Sequence, residues 1–199
     1  MEVADTRTRI RAVAIELFTT QGYEQTSLRE IADRVGVTKA SLYYHYPSKQ
    51  ELLLAVLRPL VVEWRQAVDA AEALPHTPAN VRWALENCLD TMLRHRSACA
   101  LFIRDTAAIL ATVQPLWAEL LELSARLNSW LAGPSPTSAD RIRAVAATET
   151  LGVALTSTAL MPDVPEDELR RTLLESAAAV LGLRRARTRP VDARAAKPA

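Results

Sequence analysis

The stretch Thr26–Lys49, TSLREIADRVGVTKASLYYHYPSK, decides the fold. Its first half carries a helix entry signal. Thr26 or Ser27 offers a side-chain oxygen to the first free N–H groups, and Glu30 stands three residues after Ser27. Leu28, Ile31, Ala32 and Val35 fall at i, i+3, i+4 and i+7, so one face is buried, while Arg29, Glu30, Asp33 and Arg34 point away from it. Gly36 follows directly, where a left-handed backbone ends the helix at little steric cost. Val37 returns to the core and Thr38 caps a second short helix. Two short helices joined by a tight Gly-containing turn predict a helix-turn-helix.

The second helix, about Lys39 to Tyr46, buries little for its length. Leu42 and Tyr46 share an inward face, and Lys39, Ser41, Tyr43, Tyr44 and His45 cannot all be buried with them. A helix exposing a lysine, hydroxyls, phenols and an imidazole suits a surface that meets phosphates and base edges. A solvated helix with its tyrosines packed on neighbours would share that composition. The turn before it and the helical frame around it favour the nucleic-acid reading.

Working outward, a first helix with Phe18 and Gly22-Tyr23, followed by TSLREIADRVGVTKASLYYHYPSKQELL, resembles the N-terminal domain of the tetracycline-repressor (TetR) family of transcriptional regulators. The resemblance covers about the first quarter of the chain; the remainder is similar only in being all-helical. Tyr46 stands where a Phe is more common, a conservative change in packing. The resemblance implies a homodimer on a palindromic double-stranded DNA operator, released by a small and largely apolar effector. Thr26 or Ser27 and the start of their helix are expected to bind phosphate, and Arg29 to reach a base or phosphate. Thr38, Lys39, Ser41 and Tyr43 are expected to face base edges, and Tyr44, His45 and Lys49 to grip the backbone.

Composition agrees with such a protein. The chain has 199 residues, 49% of them hydrophobic, enough for a core in one or two small domains. Its net charge of +1 gives no global basic signal, but a helix-turn-helix needs only a local basic face. The two cysteines, Cys88 and Cys99, suit a reducing cytoplasm and exclude a disulfide framework. The acidic start MEVADTRTR is no secretory signal, and no apolar run reaches the length of a membrane span. A cytoplasmic protein with no cofactor and no metal is expected.

In chain order, Met1 to about Thr6 reads as a frayed end, followed by a helix over about Arg7–Gln21 with Ile10, Val13, Ala14, Leu17 and Phe18 inward. Arg7, Arg9 and Arg11 near that start would oppose the helix dipole, as solvated charges or as one phosphate contact. Pro47-Ser48-Lys49 breaks the chain and Ser48 caps a long helix to about Ala73, with Pro59 inside it as a kink. Further helices are expected over about Pro78–His95, Cys99–Leu110, Pro115–Leu131, Ser138–Leu160 and Glu166–Leu181. Loops at 74–78, 133–136 and 161–165 separate them where Pro and Gly cluster. The fold class is therefore all-α with about nine helices. Residues 1–50 form the helix-turn-helix domain and 51–182 a helical effector-binding and dimerisation domain. Residues 183–199, rich in Arg, form a basic and disordered tail.

In the last two helices Ala144, Ala147, Leu151 and Leu155 form one row beside Thr148, joined by Leu169, Leu173 and Ala177. Small residues permit close approach to a two-fold copy, and the resemblance makes these helices the dimer interface. Two recognition helices ~34–36 Å apart then read a palindrome. The effector pocket rests on the resemblance: Trp64, Trp83, Met92, Phe102 and Trp117 would line it, with Trp130 and Leu120, while Asn87, Asn128, His95 or Arg104 supply polar anchors. Any one of these residues could equally be ordinary core. No phosphate loop, HExxH or GxSxG occurs and the three histidines are widely separated, so no enzyme is expected. The alternative reading is an all-helical adaptor that binds protein rather than DNA.

Overall fold

The structure, a computed structural model, describes residues 2–98, 101 and 112–183, and within them every regular element is a helix. The first, α1, spans Glu2–Gln21, so it begins well before the expected Arg7. No Gly or Pro interrupts these residues, and nothing local stops the helix from extending back. Arg7, Arg9 and Arg11 consequently lie beyond the first turn and do not oppose its positive end. Ile10, Ala14 and Phe18 are fully buried along one stripe.

α2 spans Leu28–Val35 and α3 spans Lys39–His45. Ser27 Oγ accepts the Glu30 N–H at 3.1 Å, and Thr38 Oγ1 accepts the Ser41 N–H at 3.1 Å. Between them Gly36 sits at φ 79°, and both its own N–H and that of Val37 reach the Ala32 carbonyl. A β-carbon at Gly36 would meet nothing within 4 Å, so glycine is required there for the backbone angle and not for space. Leu42 and Tyr46 are buried together, as their four-residue spacing predicts.

α4 spans Lys49–Glu72, capped by Ser48 on the Glu51 N–H at 3.0 Å, with Pro59 inside. Its first turns pack on α1, and the rest lies against α5 (Pro78–Arg94) and α6 (Gln114–Ala132). Leu52, Leu53 and Leu57 are completely buried, each contributing roughly 1.5–3 kcal/mol of transfer free energy. α7 (Ser138–Leu160) opens with a capping box between Thr137 and Asp140, and α8 covers Glu166–Val180. Opposite the helix-turn-helix, the loop at Gly133 (φ 92°) lies under the His76 ring, which is edge-on to Trp130 at 5.4 Å.

α7 contacts α5, α6 and α8, which corrects the expected dimer row. Ala144, Ala147 and Leu151 have no exposed surface, and Leu169, Leu173 and Ala177 are buried against them. Leu155 is half-buried, and Thr148 is held by Asn128. Small residues do mark a close helix approach here, but the partner is the same chain. The helix expected over about Cys99–Leu110 falls, apart from Leu101, outside the described residues, as does the expected tail from 184 onward. Among the described residues no helix is long and apolar enough to cross a membrane.

Candidate nucleic-acid interface

The exposed side of α3 and the entrance of α2 form one surface. Tyr44 is 81% exposed and Tyr43 41%, large values for aromatic side chains in a helix flanked by core. Lys39 Nζ lies 5.5 Å from the Tyr43 ring centroid, and Tyr44 is edge-on to His45. The segment Thr38–Lys49 contains no acidic residue. A cleft of about 580 Å³ separates α3 from the start of α2, with Ser27, Arg29, Lys39 and Tyr43 on its walls. Arg29 is only 3.9 Å from Asp33 in a solvent-exposed pair, so little energy holds it there.

Two of the expected contacts change. Thr26 is 1% exposed, and its hydroxyl donates to the Gly22 carbonyl at 2.8 Å, so the hydroxyl at the mouth of α2 is that of Ser27. Lys49 does not point outward. Its Nζ lies 2.9 Å from the Tyr23 carbonyl oxygen and 3.2 Å from those of Glu24 and Thr26, with the Tyr23 ring at 4.4 Å. A lysine at a helix start opposes the dipole unless its charge is used elsewhere, and here three carbonyls use it. Thr38 and Ser41 stand at the α3 cap, with Ser41 half-buried, and His45 is half-buried with Nδ1 enclosed and unpartnered.

Several contacts that the sequence did not foretell hold this surface in place. Gln21 Nε2 donates to Glu30 Oε1 at 2.8 Å and to Thr26 Oγ1 at 3.3 Å. Arg9 donates to the Val35 carbonyl at 2.7 Å, closing α1 over the turn, and Arg34 pairs with Glu16 at 2.7 Å. At the far side, Gln50 Nε2 donates to the Thr112 carbonyl at 2.9 Å, just ahead of α6. The Tyr23 phenol is hydrogen-bonded to the Thr112 side chain; burial nevertheless pushes the phenol above its ordinary value. Spacing carries no signal for contacts across 26 or 62 positions of chain.

The expected pocket residues differ in exposure. Trp64, on α4, is 6% exposed, and its Nε1–H is buried without a partner. Trp83 is 40% exposed, which takes it out of an enclosed lining, and Asn128 Oδ1 already accepts from Thr148 at 2.9 Å. Asn87, Met92, Leu120, Trp117 and Trp130 are half-buried, while Phe102 and Arg104 lie outside the described residues. His95 Nε2 sits 3.0 Å from Glu63 Oε1. Burial pushes the Cys88 thiol up to about 12, so it is no nucleophile near neutral pH. Among the described residues no group of His, Cys, Asp and Glu is arranged to hold a metal.

A capped helix-turn-helix built onto a larger all-helical body places the molecule among the helix-turn-helix proteins. Comparison with known proteins narrows the class. Residues 10–56 match the family model described as bacterial regulatory proteins, tetR family. The HTH-type transcriptional activator FasR of Mycolicibacterium smegmatis is 38% identical over 96 residues, 48% of this chain and 38% of that protein. The HTH-type transcriptional regulator SrpR of Pseudomonas putida is 43% identical over 56 residues, 28% of this chain and 26% of that protein. The matches thus span well under half the length of these two relatives. The crystal structure of Mycobacterium smegmatis AmtR superposes with a TM-score of 0.74 at 28% identity, over 88% of this chain and 86% of that one. A transcriptional regulator from Aquifex aeolicus VF5 shares the fold at a TM-score of 0.71 and 22% identity, over 88% and 99%. Residues 10–56 are thus similar to the N-terminal domain of the tetR-family regulators, and the chain as a whole shares the fold of solved regulators of the TetR/AcrR type.

Proposed function

We propose that this protein is a ligand-responsive transcriptional repressor, binding a palindromic operator as a homodimer and released by a small effector. The observation that carries the reading is α3: seven residues held by a capped turn, acid-free, with Tyr43, Tyr44 and Lys39 presented outward. In this reading Thr38, Lys39, Ser41 and Tyr43 face base edges, Tyr44 and His45 meet phosphates, and Ser27 with the α2 entrance binds one more phosphate. Residues 1–50 serve as the DNA-reading unit, 51–182 as the sensing and dimerising unit, and the basic 183–199 as an appended tail. A DNA partner places the protein in the cytoplasm.

The buried row on α7 leaves its opposite side for the partner subunit. Ile142, Val145 and Val153 are 69%, 45% and 38% exposed, and Leu160 is 71% exposed. Spacings of three, eight and seven residues keep these apolar groups on one stripe, and a two-fold copy would cover it. The effector site is assigned to the interior near Trp64, whose unpaired indole N–H offers an apolar ligand one directed hydrogen bond. The test is a gel shift of the full-length protein on the DNA upstream of its own gene, at low and moderate salt. Saturable retardation that weakens with salt and is lost in Tyr44→Ala supports the reading; no retardation at low salt overturns it in favour of an adaptor.

A further inference from the structure

Between α1 and the first half of α4 runs a groove of about 1000 Å³ that the reading above leaves unused. Arg7 and Arg11 rise from its α1 side and Arg58 from its α4 side, over a floor that includes Leu54, Pro59 and Val62. Elsewhere among the described residues many arginines are matched, although Arg82, Arg141 and Arg171 are not. Arg34, Arg65, Arg94, Arg126 and Arg170 each meet a carboxylate. Around this groove they are not: among the described residues Arg7 and Arg58 have no hydrogen-bond or ion-pair partner, and Arg11 reaches only the Thr8 hydroxyl at 3.4 Å.

The cations converge. Arg7, Arg11 and Tyr46 all line the groove, and the two arginines lower the Tyr46 phenol that burial pushes up. His45 Nδ1, buried and unpartnered, lies on the same wall. Among the described residues Glu51 is the one acid of the lining, set against three arginines. Three unpaired guanidiniums around one space repel one another, and an anion among them removes that repulsion while gaining bidentate hydrogen bonds. The volume lies within the range of small-molecule sites, and the apolar floor rewards a hydrocarbon portion that bare phosphate lacks.

We propose that this groove binds a small amphipathic organic anion, its carboxylate or phosphate held among Arg7, Arg11 and Arg58 and its apolar part laid over Leu54, Pro59 and Val62. The site is distinct from the interior near Trp64 and shares only His45 with the α3 surface. A ligand there touches α1 and α4 together, so it ties the helix-turn-helix to the long helix that carries it.

The experiment is isothermal titration of the full-length protein, without DNA, using octyl phosphate below its micelle concentration, with inorganic phosphate and octanol as parallel arms. The expected result is one saturable octyl phosphate site per chain, with both other probes at least about tenfold weaker, because each lacks half of the recognition. Arg58→Ala and Arg11→Ala are each expected to weaken octyl phosphate about tenfold with an unchanged circular dichroism spectrum, and Arg58→Lys to restore part of the loss. No saturable binding, or binding unaltered in Arg58→Ala, overturns the proposal. Inorganic phosphate binding as tightly as octyl phosphate also overturns it, leaving a bare anion site. Loss of duplex DNA affinity in Arg58→Ala without octyl phosphate binding assigns the groove to the DNA backbone instead. Gel shifts of Tyr44→Ala separate a failure here from a failure of the repressor reading, because Tyr44 is outside the groove lining.

Discussion

Replacing Lys49 by methionine keeps the aliphatic stem and removes an ammonium that three carbonyls share. Those oxygens belong to Tyr23, Glu24 and Thr26, at 2.9, 3.2 and 3.2 Å, in the turn that leads into α2. The Glu24 carbonyl is at the surface and water replaces its donor at little cost. The other two are partly buried, and two lost charged hydrogen bonds, discounted for their partial exposure, cost about 2–3 kcal/mol. The Tyr23 ring under the ammonium adds ~0.5–1 kcal/mol. A total near 3 kcal/mol lowers the melting temperature of a chain of this size by about 6–12 °C. Thermal and urea unfolding followed by circular dichroism measure the change. Operator affinity, measured at a temperature where the variant is folded, should fall only as far as the α2 entrance shifts. A melting temperature within about 2 °C of the parent, with operator affinity reduced at least tenfold, would refute the clamp and return Lys49 to the phosphate contact expected from the sequence.

Three further outcomes are expected. Ile142→Glu, on the exposed stripe of α7, should yield folded monomers in analytical ultracentrifugation, whereas Ala147→Glu, in the buried row, should abolish folding by burying an unpaired charge; a dimeric Ile142→Glu would place the interface elsewhere. Cys88 should resist iodoacetamide in native protein at pH 8 and be alkylated after unfolding, as peptide mass mapping reports, because the thiol is 1% exposed and pushed up to about 12. Burial alone would raise Glu63, yet the adjoining His95 and Arg94 outweigh it and hold its carboxyl below the ordinary 4.5. A depressed carboxyl contributes stability that is present above its unfolded value and lost as pH falls through the folded one. Unfolding free energy should therefore decline below about pH 4.5, and Glu63→Gln should flatten part of that decline; an identical pH profile in the variant would remove Glu63 from the account.

Local order was legible in the sequence because it is carried by neighbours. Ser27, Gly36, Thr38, and the spacing from Leu28 to Val35 all act within one or two turns, and the structure puts each of them to that use, while the Glu30 side chain turns instead to Gln21. The limits of the later helices were also close, since proline and glycine act at their own positions. Burial direction was harder. Ala144, Ala147 and Leu151 form an apolar row on any reading, but a row does not say whether its cover is α8 or a second subunit. What separates the two is the packing of the row against α5, α6 and α8 of the same chain, which no spacing foretells. Lys49 shows a third limit. A cation at a helix start is unfavourable until its partners are known, and these come from a turn more than twenty residues earlier in the chain.

Thr112 stands where α6 is about to begin, yet its two named contacts go to residues far earlier in the chain, one to Gln50 and one to Tyr23. Tyr23 in turn belongs to the turn that Lys49 ties down. Two hydrogen bonds of ordinary strength are worth about 1–3 kcal/mol together, and that sum limits the influence this route can carry. A ligand that breaks both can change operator affinity through them by roughly 5- to 150-fold and no further. The exchange runs equally in reverse: bound operator must depress affinity for that ligand by the same factor. An inducer measured on the free protein would then look tighter than the same inducer facing the protein on its DNA, and the ratio of the two constants would read out the energy stored at Thr112.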